Sequence, residues 1–337
     1  MKKKAVIYLL LVLFSQSVLP QNSNSKIKDR DVQMISIRDG KFKVWTKKSG
    51  NGKLKLLLLH GGPGSSPEYF FNFPENLSKD YTIYFYAQLG SQFSDVPQDS
   101  TAYSVESFVE DVETVRIALK LEQFYLLGHS WGNSLAQAYA AKYQKNLKGV
   151  ILCNNVNVDN EIVEEYTVEQ YADIMDEIPE FKQYADSLRF GFSGRFTDFS
   201  TSESLGNRIH EKVFPEVLKR HYVRLPQPLP KDLLNSKIHS NSQLMSDLGF
   251  MQKTLLVDYN QYLKQIEKPV LLIGGKYDFI PPRYYVKMKE TLKKSPFVDI
   301  SILNGGHFLM WDDSQNFFKT VDRFILKVES MKESSKK

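Results

Sequence analysis

The spacing of apolar positions changes several times along the chain, and the changes divide it. Lys53-Leu-Lys-Leu-Leu-Leu-Leu59 passes from alternation to a continuous apolar run, as a strand buried on both faces does. It ends in His60-Gly-Gly-Pro-Gly64, a turn too rich in glycine to be helical. Tyr81-Thr-Ile-Tyr-Phe-Tyr86 predicts a β-branched and aromatic strand. Between Ser104 and Lys120, apolar Phe108, Val112, Val115 and Leu119 recur at helical spacing. Phe124–Leu127 predicts a short strand, Asn133–Tyr143 an alanine-rich helix, and Lys148–Cys153 another buried strand. Strands alternating with helices in this way predict βαβ units and a parallel sheet.

The rhythm stops between Val158 and Asn260, where helical patterns and loops replace buried strands. Within it, Asp159–Arg189 carries ten acidic residues against two basic ones, the pattern of a solvated helix face. The rhythm resumes at Pro269–Ile273 and Val298–Leu303, and a helix over Ser314–Val328 closes the pattern. The simplest organisation is one α/β domain over 28–157 and 261–330, interrupted by a helical cap at 158–260 and followed by a frayed tail at 331–337.

Composition narrows the class. Hydrophobic and charged contents of 42% and 25% are those of a globular protein. Lys+Arg exceed Asp+Glu by 44 − 39 = 5. Lys2–Lys4 supply three of those charges, and the tail from Lys327 adds a surplus of two, so the body is near neutral and carries no nucleic-acid footprint. One cysteine, Cys153, excludes a disulfide framework and a thiolate zinc site. The start, Met1-Lys-Lys-Lys, then the apolar run Ala5–Phe14, then Ser15 and Ser17, predicts a signal peptide over 1–22. The run is about half the ~20 residues a membrane helix needs. The expectation is an exported chain, periplasmic or extracellular, without stable membrane insertion once the leader is removed.

The chemistry is in the turns. Gly128-His-Ser130-Trp-Gly132 lies between a strand and a helix, the context of a G-x-S-x-G nucleophile elbow. Ser130 is the candidate nucleophile. The Trp131 N–H and a donor from Gly61 or Gly62 in the earlier glycine turn are the candidate oxyanion hole. Of six histidines, His60 and His129 sit inside the two turns, and His210, His221 and His239 fall in the insertion. His307, in Asn304-Gly-Gly-His307 after a strand, is the candidate base. Asp278, in Gly274-Gly-Lys-Tyr-Asp278 after the preceding strand, is the candidate acid. Asp312 and Asp313 follow the histidine and break the Ser–Asp–His order. Tyr69, Phe70, Phe71 and Phe73 are read as core, with a pocket wall as the alternative.

Assembled, these residues resemble the α/β-hydrolase superfamily and, within it, the proline iminopeptidase family and its tricorn-associated relatives, over Phe42–Leu326. The resemblance implies an α/β-hydrolase fold with a mostly parallel central sheet and an inserted helical cap. It also implies a serine peptidase removing N-terminal residues from short peptides, with no metal or cofactor. His221-Tyr-Val-Arg224-Leu-Pro-Gln-Pro-Leu-Pro230 resembles the end of the family's cap. Two segments depart from the pattern. Ala87-Gln88-Leu-Gly90-Ser-Gln92-Phe-Ser94 stands where the family has Asp-Gln-x-Gly-x-Gly-x-Ser. Gly249 stands where the family has an ammonium-binding glutamate, with Asp247 or the acidic run as possible replacements. The leading expectation is therefore a serine aminopeptidase. The alternatives are an esterase, lactonase or amidase with the same triad, and a binding protein on the same fold.

Overall fold

The computed structural model describes residues 31–155, 253, 257–278 and 280–334. The segments read from sequence as leader and, nearly all of it, as cap lie outside the described residues. Eight strands form one sheet: β1 (Val32–Ile37), β2 (Phe42–Ser49), β3 (Leu54–Leu59), β4 (Tyr81–Tyr86), β5 (Phe124–His129), β6 (Leu147–Cys153), β7 (Val270–Gly275) and β8 (Val298–Leu303). Their order is β1-β2-β4-β3-β5-β6-β7-β8. The first two pairings, β1 with β2 and β2 with β4, are antiparallel. Every pairing from β4–β3 to β7–β8 is parallel.

The central strands are buried on both faces, which explains their unbroken apolar sequence. Alternate residues serve opposite cores. Leu57, Leu59, Leu126, Val150, Leu152 and Leu272 join one cluster. That cluster includes side chains of α1 (Val105–Ala118), α2 (Trp131–Tyr143) and α3 (Pro282–Thr291). Leu56, Leu58, Leu127, Ile151 and Ile273 join the other, with Phe70, Phe73 and the buried side of α4 (Ser314–Ser334). Ser104 caps α1 by accepting the Ser107 N–H. The last helix runs to Ser334, into the segment read from sequence as tail.

The sequence pattern did not mark β1. This edge strand turns only Ile35 and Ile37 inward, too few positions to set a period. The hairpin β1–β2 is held against α1 by Arg38, whose guanidinium makes two hydrogen bonds to the buried Asp111 carboxylate at 2.9 and 2.7 Å. Consecutive parallel strands β3, β5, β6, β7 and β8 all end on one edge of the sheet, where ligands bind in open α/β folds. His60, Ser130, Asn154, Asp278 and His307 each lie within four residues of one of those strand ends.

Candidate active site

The elbow is as tight as the glycine spacing implies. β5 ends at His129, α2 begins at Trp131, and Ser130 between them has φ 57 and ψ −124, a conformation L-residues rarely hold. A Cβ on Gly128 would lie 2.1 Å from the Gly132 carbonyl oxygen, and one on Gly132 would lie 2.0 Å from that of Leu59. Both positions therefore exclude a side chain. The Ser130 N–H donates to the Cys153 carbonyl at 3.1 Å, tying the elbow to β6. Trp131 is the first residue of α2, so its N–H has no acceptor within the helix.

The turn after β3 lies against the serine: a Cβ on Gly61 would be 3.3 Å from Ser130 Oγ. Gly62 has φ +118, and a Cβ there would lie 2.6 Å from the backbone nitrogens of Gly64 and Ser65. The two glycines differ in one respect that sequence reading does not distinguish. The Gly61 N–H donates to the Tyr69 hydroxyl at 2.5 Å. That corrects the expectation of Gly61 as an oxyanion donor, because its hydrogen is directed into the core. Gly62 is then the remaining candidate donor of this turn.

Gln88 joins this turn to the elbow. Its Nε2 donates to the His60 carbonyl at 2.7 Å, and its Oε1 accepts the Trp131 indole N–H at 2.8 Å. Its backbone N–H donates to His60 Nε2 at 2.9 Å, so the proton of that neutral ring sits on Nδ1, which donates to the Gly61 carbonyl at 2.8 Å. Burial pushes the His60 pKa down to about 4. The departure at Ala87 leaves this function of Gln88 intact.

Asp278 and His307 are brought together as the chain order predicts. Asp278 Oδ1 accepts from His307 Nδ1 at 3.0 Å, with exposures of 1% and 7%. Asn154, at the end of β6 with φ 47, donates one amide hydrogen to Asp278 Oδ2 at 2.5 Å and the other to the Gly306 carbonyl at 3.1 Å. One side chain thus orients the acid and holds the loop that carries the base. Asp312 accepts the Gly306 N–H at 2.9 Å. It touches the backbone of the base loop rather than completing a triad, and burial raises its pKa to about 6. Cys153 is buried under this cluster, and burial holds its thiol well above the ordinary range.

The contacts of Gln88 and Asn154 escaped the sequence reading because each is made with residues distant in sequence, and Asp312 was set aside by chain order alone. The only local signals were a glutamine kept in a degraded motif and an asparagine at a strand end. Tyr69, Phe70 and Phe73 are buried, as read; Phe71 is 41% exposed and packs edge-on against Phe85. His210, His221, His239, Asp247, Gly249 and the acidic run lie outside the described residues. Among the described residues no group of three metal-binding side chains converges. One sheet edge therefore gathers a strained serine, an imidazole–carboxylate pair and two turns able to present amides, the parts that acyl transfer requires.

Comparison with known proteins agrees with this architecture. A family described as alpha/beta hydrolase fold matches residues 56–314. The chain is similar to a proline iminopeptidase of Flavobacterium johnsoniae, 33% identical over 317 residues, covering 89% of this chain and 99% of that protein. It is 34% identical to a proline iminopeptidase of Elizabethkingia meningoseptica, covering 86% of this chain and 96% of the relative. Among solved structures, a proline iminopeptidase of Mycobacterium smegmatis shares the fold, with a TM-score of 0.65 at 20% identity over 89% of this chain and 99% of that one.

Proposed function

The chain belongs to the α/β-hydrolase family as a serine hydrolase similar to the proline iminopeptidases, and from that premise we propose that it is an exported aminopeptidase working through an acyl-enzyme. Ser130 Oγ attacks the carbonyl carbon of the substrate's N-terminal residue and gives its proton to His307. With Nδ1 hydrogen-bonded to Asp278, Nε2 is the nitrogen that exchanges this proton. Asp278 fixes the tautomer and stabilises the imidazolium, and Asn154 holds Asp278. The Gly62 and Trp131 N–H groups stabilise the tetrahedral oxyanion. As that intermediate collapses, the C–N bond breaks and the leaving amine takes the proton from His307. Water, deprotonated by His307, then attacks the ester carbonyl, releases the amino acid and returns the proton to Ser130.

The observation that carries this reading is the placement of Ser130, at φ 57 against the glycine turn, on the same sheet edge as the 3.0 Å Asp278–His307 pair. A second reading, an esterase or lactonase using the same residues, is favoured by Ala87 where the peptidase pattern has aspartate. A substrate panel separates the two. Proline and other amino-acid arylamides, free and N-acetylated, are compared with short acyl esters, with Ser130→Ala as control. Turnover confined to free-amine arylamides supports the peptidase; ester turnover with arylamides untouched, or indifference to acetylation, overturns it. Export follows from the basic and apolar leader, and the mass of the protein recovered from its native host tests it. A mature start between Ser17 and Ser23 is expected, and an intact Met1–Phe14 segment contradicts it.

A further inference from the structure

Two buried side chains outside the proposed proton path connect its two halves. His129 Nε2 lies 2.7 Å from the carbonyl oxygen of His307. A carbonyl has no proton to give, so Nε2 carries the hydrogen and donates it. Burial first, and then the neighbouring His307, push the His129 pKa down to about 3. The ring is therefore neutral, and Nδ1 holds a lone pair. Nδ1 lies 3.0 Å from the Tyr69 hydroxyl, which therefore donates to it. The Tyr69 oxygen accepts the Gly61 N–H. The chain of bonds has one consistent polarity: Gly61 N–H to Tyr69, Tyr69 O–H to His129, His129 Nε2–H to the His307 carbonyl.

The surroundings make the polar atoms informative. Tyr69 is 1% exposed and packs against Phe70 and Phe308, with ring centroids 4.4 and 5.4 Å away. A phenylalanine would fill that volume without burying a hydroxyl, and a buried polar group is costly unless every bond it makes is satisfied. Here each end of the chain of bonds is the main chain of a segment that the chemistry uses. One end is the residue before Gly62; the other is the base residue itself. The titratable neighbours acting on His129 are His307, Asp278 and His60.

We propose that Tyr69 and His129 are positioning residues that fix the oxyanion turn and the His307 loop relative to each other across the elbow. The proposal rests on the reading of Ser130, Gly62 and His307 given above. Neither side chain has a place in the proposed proton path, although the His129 ring packs against that of His307, with centroids 4.8 Å apart. Their effect is to keep the anion-binding amide and the base in register, and small misplacements of such groups cost up to about a hundredfold in rate.

The test compares Tyr69→Phe, His129→Leu and the double variant with the wild-type full chain and Ser130→Ala, on proline arylamide. Tyr69→Phe is expected to lower kcat about tenfold or more with KM changed less than about twofold. The double variant is expected to lose little more than His129→Leu alone, because one broken link disables the chain of bonds. Wild-type kcat in Tyr69→Phe overturns the proposal, as do single losses that simply multiply in the double variant. Turnover surviving in Ser130→Ala overturns the underlying functional reading and the proposal with it, an outcome distinct from a silent Tyr69→Phe. Histidine nitrogen NMR of the wild type gives a readout independent of how the variants fold. A neutral His129 protonated on Nε2 between about pH 8 and pH 5 is expected. A proton on Nδ1, or a cationic ring in that range, overturns the proposal.

Discussion

At Gly62 a single hydrogen on Cα decides whether the oxyanion turn can form. Gly62→Ala adds a Cβ 2.6 Å from two backbone nitrogens at a φ of +118. The turn must move, and with it the proposed donor. Loss of one such donor costs about 2.7–4 kcal/mol of transition-state stabilisation, so kcat is expected to fall about a hundredfold to a thousandfold. Steady-state kinetics check this, and a variant with wild-type kcat would remove Gly62 from the mechanism. Gln88 makes a complementary case. Gln88→Leu keeps the bulk and leaves the His60 carbonyl and the Trp131 indole N–H without this partner. Each buried orphan costs about 1–3 kcal/mol. Thermal melting is expected to drop by several degrees, and an unchanged melting temperature contradicts the bridging role. At this scale the sequence was a good guide to local geometry: the tight turn at Ser130 and the meeting of Asp278 with His307 are where turn composition and chain order put them. It was silent on the hydrogen bonds that Gln88, Asn154 and Tyr69 make, because most of their partners come from segments brought together only by the fold.

Among the elements, legibility followed the density of apolar and β-branched positions, in β4, which is buried throughout, and in β8, which is mostly half-buried, alike. β4 and β8 run over the residues their apolar patterns mark, Tyr81–Tyr86 and Val298–Leu303. The sequence pattern did not mark the β1–β2 hairpin, because an antiparallel edge with one wet face offers few apolar positions; the local signal left unread was the Asp39-Gly40 pair at the centre of its turn, where Arg38, Asp39 and Gly40 all have positive φ. What fastens that hairpin is the Arg38–Asp111 pair, with side-chain exposures of 20% and 1%. Burial raises the Asp111 pKa, and Arg38 works against that rise. Arg38→Ala strips the compensating charge and is expected to destabilise the fold by about 3 kcal/mol. Replacing both members with apolar residues, Arg38→Met with Asp111→Leu, is expected to recover most of that loss in a denaturant titration. A double variant no better than Arg38→Ala alone would show that the charge pair is not what the hairpin depends on.

For the molecule as a whole, two neutral histidines buried beneath the site predict acid lability. His60 and His129 have folded pKa values of about 4 and about 3, below the ordinary 6.5. A histidine depressed in the folded state contributes stability that is present above 6.5 and is lost as pH falls toward the folded value. By pH 4 each loses about 3 kcal/mol. Asp312 acts in the opposite sense. Its folded value of about 6 lies above the ordinary 3.8, so its contribution is complete below 3.8 and disappears as pH rises through 6. It returns about 2 kcal/mol over the same interval, so the histidines prevail. Melting temperatures are expected to fall from pH 6.5 to pH 4.5, and more steeply in Asp312→Asn. A flat profile would contradict the buried neutral histidines. The same sheet edge that creates this liability also concentrates the chemistry. The most direct measurement of the central claim is intact-protein mass spectrometry after reaction with a fluorophosphonate, which phosphonylates activated serines. One adduct per chain, mapped to Ser130 and lost in Ser130→Ala and His307→Ala, is the result predicted. Labelling at another residue, or labelling of Ser130 at the same rate without His307, would contradict the account.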